Sequence, residues 1–149
     1  SNYIIIKFLF FTNPDGKSYD TNLVSGTSNW YAQFNTTPVA LDPNRKLAGA
    51  TATVTAGLIT GSDTRSYAAI GSALTVTIKN GATTTGTVAD GVKVIVDNAH
   101  TNCTATLPTD PIVAAGGSVT AGQEFPISIV LDTAADTVGA QLKLKLADS

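Results

Sequence analysis

His100 and Cys103, in the stretch His-Thr-Asn-Cys, are the only imidazole and the only thiol of the chain. Together they could supply two ligands to one metal ion, but a structural zinc site takes four, and no further His or Cys exists. Nucleophilic catalysis is limited in the same way. A Ser-His-Asp or Cys-His arrangement would have to be built around His100, and only Cys103 stands near it as a nucleophile. Neither a catalytic nor a metal site is expected, and no cofactor is implied.

Paired carboxylates would have to be drawn from Glu124 and scattered aspartates. Asp15, Asp42, Asp63 and Asp90 all sit beside Gly, Pro or Ser, where turn chemistry accounts for them. Residues 13–20 (NPDGKSYD) have some of the oxygen ligands of a calcium loop but lack the spaced acids and the closing bidentate Glu. Trp30 and Tyr31, with Phe34 nearby, are the remaining candidates for a ligand platform, because aromatic faces suit the apolar faces of sugar rings. The competing reading puts Trp30 and Phe34 in the core and Tyr31 at a rim. The sequons at Asn35 and Asn102 matter only for an exported chain.

These side chains must be carried by elements, and the first is the run from Tyr3 to Phe11, apolar except for Lys7. It is too short to span a bilayer, which takes about twenty residues, and it ends in the turn signal Asn13-Pro14-Asp15-Gly16. A signal sequence would lead into small residues at a cleavage site, not into that turn. Its β-branched and aromatic content reads as a strand covered on both faces. Two homes are open to it. It is a central strand of its own sheet, or residues 1–12 are exchanged with a neighbouring subunit, so that Tyr3, Ile4, Ile5, Ile6, Phe8, Leu9, Phe10 and Phe11 form an assembly interface.

Short alternating segments follow. Trp30, Ala32 and Phe34 alternate with polar neighbours; Ala52, Val54 and Ala56 alternate with threonines; Leu74, Val76 and Ile78 do likewise. Asn80-Gly81 signals a tight hairpin, and Asp90-Gly91 leads into a strand through Val92, Val94 and Val96. Phe125, Ile127, Ile129 and Leu131 line one face, and Leu142, Leu144 and Leu146 another; Pro126 belongs at a strand start or edge. A helical turn is allowed only within residues 64–74, and residues 106–118 read as a long connection. About eight to ten strands predict an all-β fold, a two-sheet β-sandwich of immunoglobulin-like or jelly-roll type, in one domain spanning 1–149.

Residues 116–148, through Val119, Ala121, Gly122, Phe125, Gly139, Ala140 and Leu142, resemble the opening hairpin of cohesin-like and related immunoglobulin-like bacterial modules. That resemblance implies a β-sandwich. In overall composition the chain also resembles auxiliary, decoration-type structural proteins of tailed-phage particles.

Composition narrows the function classes. Charged residues are 13% of the 149, about half the share usual in soluble domains. The net charge is −2 and the nine Lys and Arg are scattered, which leaves no basic stripe for nucleic acid. A surface rich in Thr, Ser and Asn suits an extracellular module or a subunit covered by its neighbours. The chain contains no Met and starts with Ser, as a cytoplasmic product trimmed of its initiator would; signal cleavage leaves the same start. The expected function is that of a non-enzymatic structural subunit of a virion, made in the host cytoplasm and partnered by copies of itself and other structural subunits. The alternatives are an extracellular filament or surface-layer subunit built by strand addition, and a carbohydrate-binding or adhesive module.

Overall fold

A computed structural model describes residues 3–9, 17–34, 47–83, 85–99, 103–134 and 140–149. Twelve strands lie among them: β1 (Tyr3–Leu9), β2 (Asn29–Phe34), β3 (Thr51–Ala56), β4 (Ile59–Thr60), β5 (Ser66–Ala69), β6 (Ala73–Lys79), β7 (Gly86–Val88), β8 (Lys93–Ala99), β9 (Cys103–Thr106), β10 (Gly117–Val119), β11 (Glu124–Ala134) and β12 (Ala140–Ala147). The surplus over the eight to ten expected is the two- and three-residue strands β4, β7 and β10. None of the described residues is helical. The stretch 64–74, the one place where the sequence allows a helical turn, holds β5, a turn and the start of β6.

The strands form a six-stranded antiparallel sheet in the order β4-β5-β2-β1-β12-β8, a four-stranded sheet β3-β6-β11-β9, and the small pair β10-β7. The period-2 pattern decides which side chains meet. Leu142, Leu144 and Leu146 of β12 are buried between the half-exposed Lys143 and Lys145, and Leu74, Val76 and Ile78 of β6 are buried between threonines. Trp30, Ala32 and Ala68 from the larger sheet share one core with Ala52, Ile127, Ile129 and Leu131 from the smaller. Two sheets that bury facing sides in a common core make a β-sandwich. Val88, Val92, Val113 and Val119 extend that core beneath β7 and β10.

One expected hairpin is not formed. Asn80-Gly81 would need positive φ at both positions for a tight turn, and neither has it. β6 is followed by β7, which pairs with β10 instead. Asn80 is 1% exposed and joins two distant segments: its Nδ2 donates to Thr120 O (2.8 Å), its Oδ1 accepts from Ala82 N (3.1 Å), and its backbone N–H reaches Gln123 O (2.8 Å). The backbone at Gly81 lies so close to Gly49 that a Cβ there would collide with the Gly49 carbonyl. Residues 116–148 do not pair as the hairpin they resemble. β11 pairs with β6 and β9 in one sheet, while β12 pairs with β1 and β8 in the other.

Pro126 pairs with Thr77 on the β6 side of β11. On the other side β9 covers β11 only from Val130 onward, so the proline sits where the ladder has an open edge. The connection 107–116 swings away there and is tied back by a bridge between Val113 and Val92.

Candidate functional site

β1 stands between β2 and β12. Six residue pairs, from Tyr3↔Lys145 to Phe8↔Ala140, join it to β12, and four, from Ile6↔Phe34 to Leu9↔Tyr31, join it to β2. Ile6 and Phe8 are thereby paired on both edges within this chain, Tyr3, Ile4 and Ile5 on the β12 edge, and Leu9 on the β2 edge. Phe10 and Phe11 lie outside the described residues, as do His100, Asn35, Asn102, Asp15 and Asp42. Cys103 begins β9, at the end of its ladder with β11.

Trp30 and Tyr31 do not form a common platform. As successive strand residues they point to opposite faces. Trp30 is 1% exposed in the core, opposite Ala68. Tyr31 lies on the outer face, where its ring meets Tyr67 edge-on (6.1 Å between centroids, 82° between planes). The Arg65 guanidinium covers it at 5.3 Å. A sugar ring would find the tyrosine already stacked and the tryptophan out of reach.

The β4–β5 turn holds a cluster that the sequence did not reveal. Asp20 Oδ2 accepts from the backbone N–H and hydroxyl of Ser62 (2.6 and 2.8 Å), and its Oδ1 from Asn22 N (2.9 Å). Asp63 accepts from the Tyr67 hydroxyl (2.6 Å) and from Arg65 N (3.0 Å). The donated Ser62 and Asn22 amides hold the Asp20 carboxyl below its ordinary pKa, and the Tyr67 hydroxyl does the same for Asp63. Burial, reinforced by Asp63, pushes Tyr67 up to about 12. Each carboxylate oxygen already has a donor, so the arrangement anchors the segment around Asp20 to the hairpin tip. Asp63 had a turn signature in Gly-Ser-Asp, and its donors Arg65 and Tyr67 are local; Asp20 and Ser62, forty-two residues apart, are brought together only by the fold.

The two outer faces of the sandwich differ in chemistry. The larger sheet shows Lys143, Lys145, Lys93 and Asp97 to solvent, with Lys145 Nζ 3.1 Å from Asp97 Oδ1, and adds Arg65 over Tyr31. The smaller sheet shows small uncharged side chains in cross-strand rows. Thr53, Thr77 and Pro126 form one row and Thr75 and Ser128 the next, followed by Ala73, Val130 and Thr106. Thr55 and Thr77 share a hydroxyl hydrogen bond of 2.9 Å. Charges stand only at the ends of this face. Lys79 and Glu124 are paired at one end, and at the other Asp132 accepts from Thr106 Oγ1 at 2.7 Å. Beside the face, the open edge of β11 and the segment 107–112 enclose a groove of about 390 Å³.

Among the described residues, no three His, Cys, Asp or Glu side chains gather where they could hold a metal ion. Comparison with protein-family models, curated proteins and solved structures finds no match for this chain.

Proposed function

We propose that the chain is a non-enzymatic structural subunit of a virus particle, a capsid decoration or other auxiliary capsid or tail protein, and that the outer face of β3-β6-β11-β9 is what it buries against its neighbours. The observation that carries the reading is the asymmetry of the two faces. Burying Lys or Asp without a partner costs several kcal/mol, and interface cores are depleted of charge for that reason. The face of threonines, Ser128, Pro126 and Val130 can be dried at less cost, provided that its hydroxyls find hydrogen-bond partners, whereas the face with Lys143, Lys145 and Arg65 is suited to water. The low overall charge fits a chain most of whose surface is shared with other subunits, each contact modest and the sum large.

The test is the protein's own location. Antibodies raised against the purified chain should label intact particles from the source culture, recovered from a density gradient, at many copies per particle. Thr77→Lys, folded but charged at the centre of the face, should not assemble onto them. A chain confined to the particle-free fraction overturns the reading.

A second reading has its own observation. The slot between β2 and β12 is filled by β1, a strand linked to β2 through residues 10–28, and such a slot accepts the same strand from another copy. The chain would then be a filament or surface-layer subunit at the cell surface, with one copy's β1 completing the next copy's sheet.

A further inference from the structure

β3 is the edge strand of the smaller sheet. Its inner side pairs with β6, from Thr51↔Lys79 to Ala56↔Thr75. Among the described residues no strand pairs with its outer side, and none of the turn and loop backbone hydrogen bonds reaches residues 51–56. A row of free N–H and C=O groups on an edge is a template for another strand, and proteins guard such rows with short length, Lys or Pro. The other edges are guarded in these ways. β4 is two residues long, β7 and β10 are three, β9 is four, and β8 carries Lys93 and Asp97. β3 runs six residues, Thr-Ala-Thr-Val-Thr-Ala, with neither charge nor proline, and its one irregularity is the bulge between Val54 and Ala56.

We infer that this edge pairs with the same edge of a second copy. The sequence of β3 is self-complementary about Thr53. An antiparallel pairing centred there sets Thr53 opposite its own symmetry mate, Thr51 opposite Thr55, and Ala52 opposite Val54. Every residue then meets one of its own kind. Thr53 and Thr55, exposed, stand with threonines on the outer face, and Ala52, 7% exposed, stands with the half-buried Val54 on the core side. A two-fold axis demands this self-complementarity, and a partner of different sequence would not. The result is one eight-stranded sheet across two subunits, β9-β11-β6-β3 followed by the same order reversed, with the uncharged face doubled in area. No like charges oppose each other at the join.

A six-residue edge is a small contact beside the roughly 1,200–2,000 Å² of a standard interface. The free dimer is therefore weak, and many such joins in an array gain through multivalency. The inference concerns the edge and not the outer face, so it goes beyond the proposed function and survives the failure of that reading.

Sedimentation velocity of the full chain, from a few micromolar to several hundred micromolar, should show a monomer converting to a dimer on the order of 100 μM. Thr53→Lys and Thr53→Glu each put like charges face to face at the axis. Each should remain monomeric over that range while keeping the parent's circular dichroism and melting transition. Mixed one to one, they should dimerise again, because opposite charges now meet at the axis. A parent that is monomeric at the highest concentration overturns the inference. So does a dimer that both variants form as readily as the parent, since its contact must then lie elsewhere.

Discussion

Thr64 has φ of 67°, the only positive φ at a non-glycine residue among those described. It closes the β4–β5 turn, in which Thr64 N donates to Gly61 O (2.9 Å) and Gly61 N to Arg65 O (2.8 Å). That is a three-residue hairpin loop with a left-handed last position, where Gly is favoured and a β-branched residue is strained by about 1–2 kcal/mol. Thr64→Gly relieves the strain but adds freedom to the unfolded chain, for a net gain of about 0.5–1 kcal/mol. Denaturant midpoints should rise accordingly; a fall would mean that the threonine side chain itself holds the loop. The neighbouring Tyr67–Asp63 bond gives stability a pH signature at both ends. The depressed Asp63 carboxyl contributes stability that is complete above the unfolded carboxyl value of about 3.9 and is lost as pH falls through its lower folded value. Tyr67, raised to about 12, acts in the opposite direction. Its contribution is whole below the unfolded value of about 10 and fades as pH climbs toward 12. Tyr67→Phe should flatten the alkaline decline in melting temperature and also weaken the acid one, because Asp63 loses its strongest donor. An alkaline limb identical to the parent's would place that decline on other groups.

Among the elements, β1 has the most to lose by removal. It is an interior strand, so a chain without residues 1–12 leaves the facing edges of β2 and β12 unpaired. The loss of ten cross-strand pairs should exceed the roughly 5–15 kcal/mol that holds a domain together. The truncated chain is expected to be unfolded alone and to regain β-sheet circular dichroism when a peptide of residues 2–12 is added. A truncated chain that folds as a stable monomer would count against this placement of β1 and against the filament reading together. Asn80 is the matching case for a connection. Asn80→Ala strips Thr120 O of its donor and Ala82 N of its acceptor within a buried site, and should cost about 1–3 kcal/mol. The strands themselves were legible, because alternation in β6, β11 and β12 is the direct trace of one wet and one dry side. The separation of Trp30 from Tyr31 was contained in the same alternation. Asn80-Gly81 misled because the dipeptide looks alike in a hairpin and in a buried junction; the difference lies in Thr120 and Gln123, forty residues away in the chain. The cluster at Asp20 and Ser62 was hidden for the same reason.

At the scale of the whole molecule, the path of the chain between sheets left no local mark. β11 and β12 have the same alternation whether they pair with each other or lie in opposite sheets, so the resemblance within residues 116–148 could suggest a hairpin where the chain crosses the core. Among the described residues, only β1–β2 and β4–β5 are successive strands that pair directly; elsewhere the chain changes sheet from one described strand to the next. The join of β1 to β12 brings together residues as far apart as Tyr3 and Lys145. Closing so long a loop costs entropy before its contacts repay it, which slows folding and delays the longest-range pairings. The domain should therefore refold in about milliseconds to seconds rather than microseconds, with β12 docking between β1 and β8 after β3, β6 and β11 have associated. Leu144 and Val76 are both fully buried, one in each sheet, and they separate the two stages. Leu144→Ala should cost about 2–5 kcal/mol and appear mainly as faster unfolding, because its contacts form after the rate-limiting step. Val76→Ala, in the early sheet, should slow refolding. Stopped-flow traces that assign the two effects the other way round would put the terminal strands in the nucleus and make closure of the chain ends the first event instead of the last.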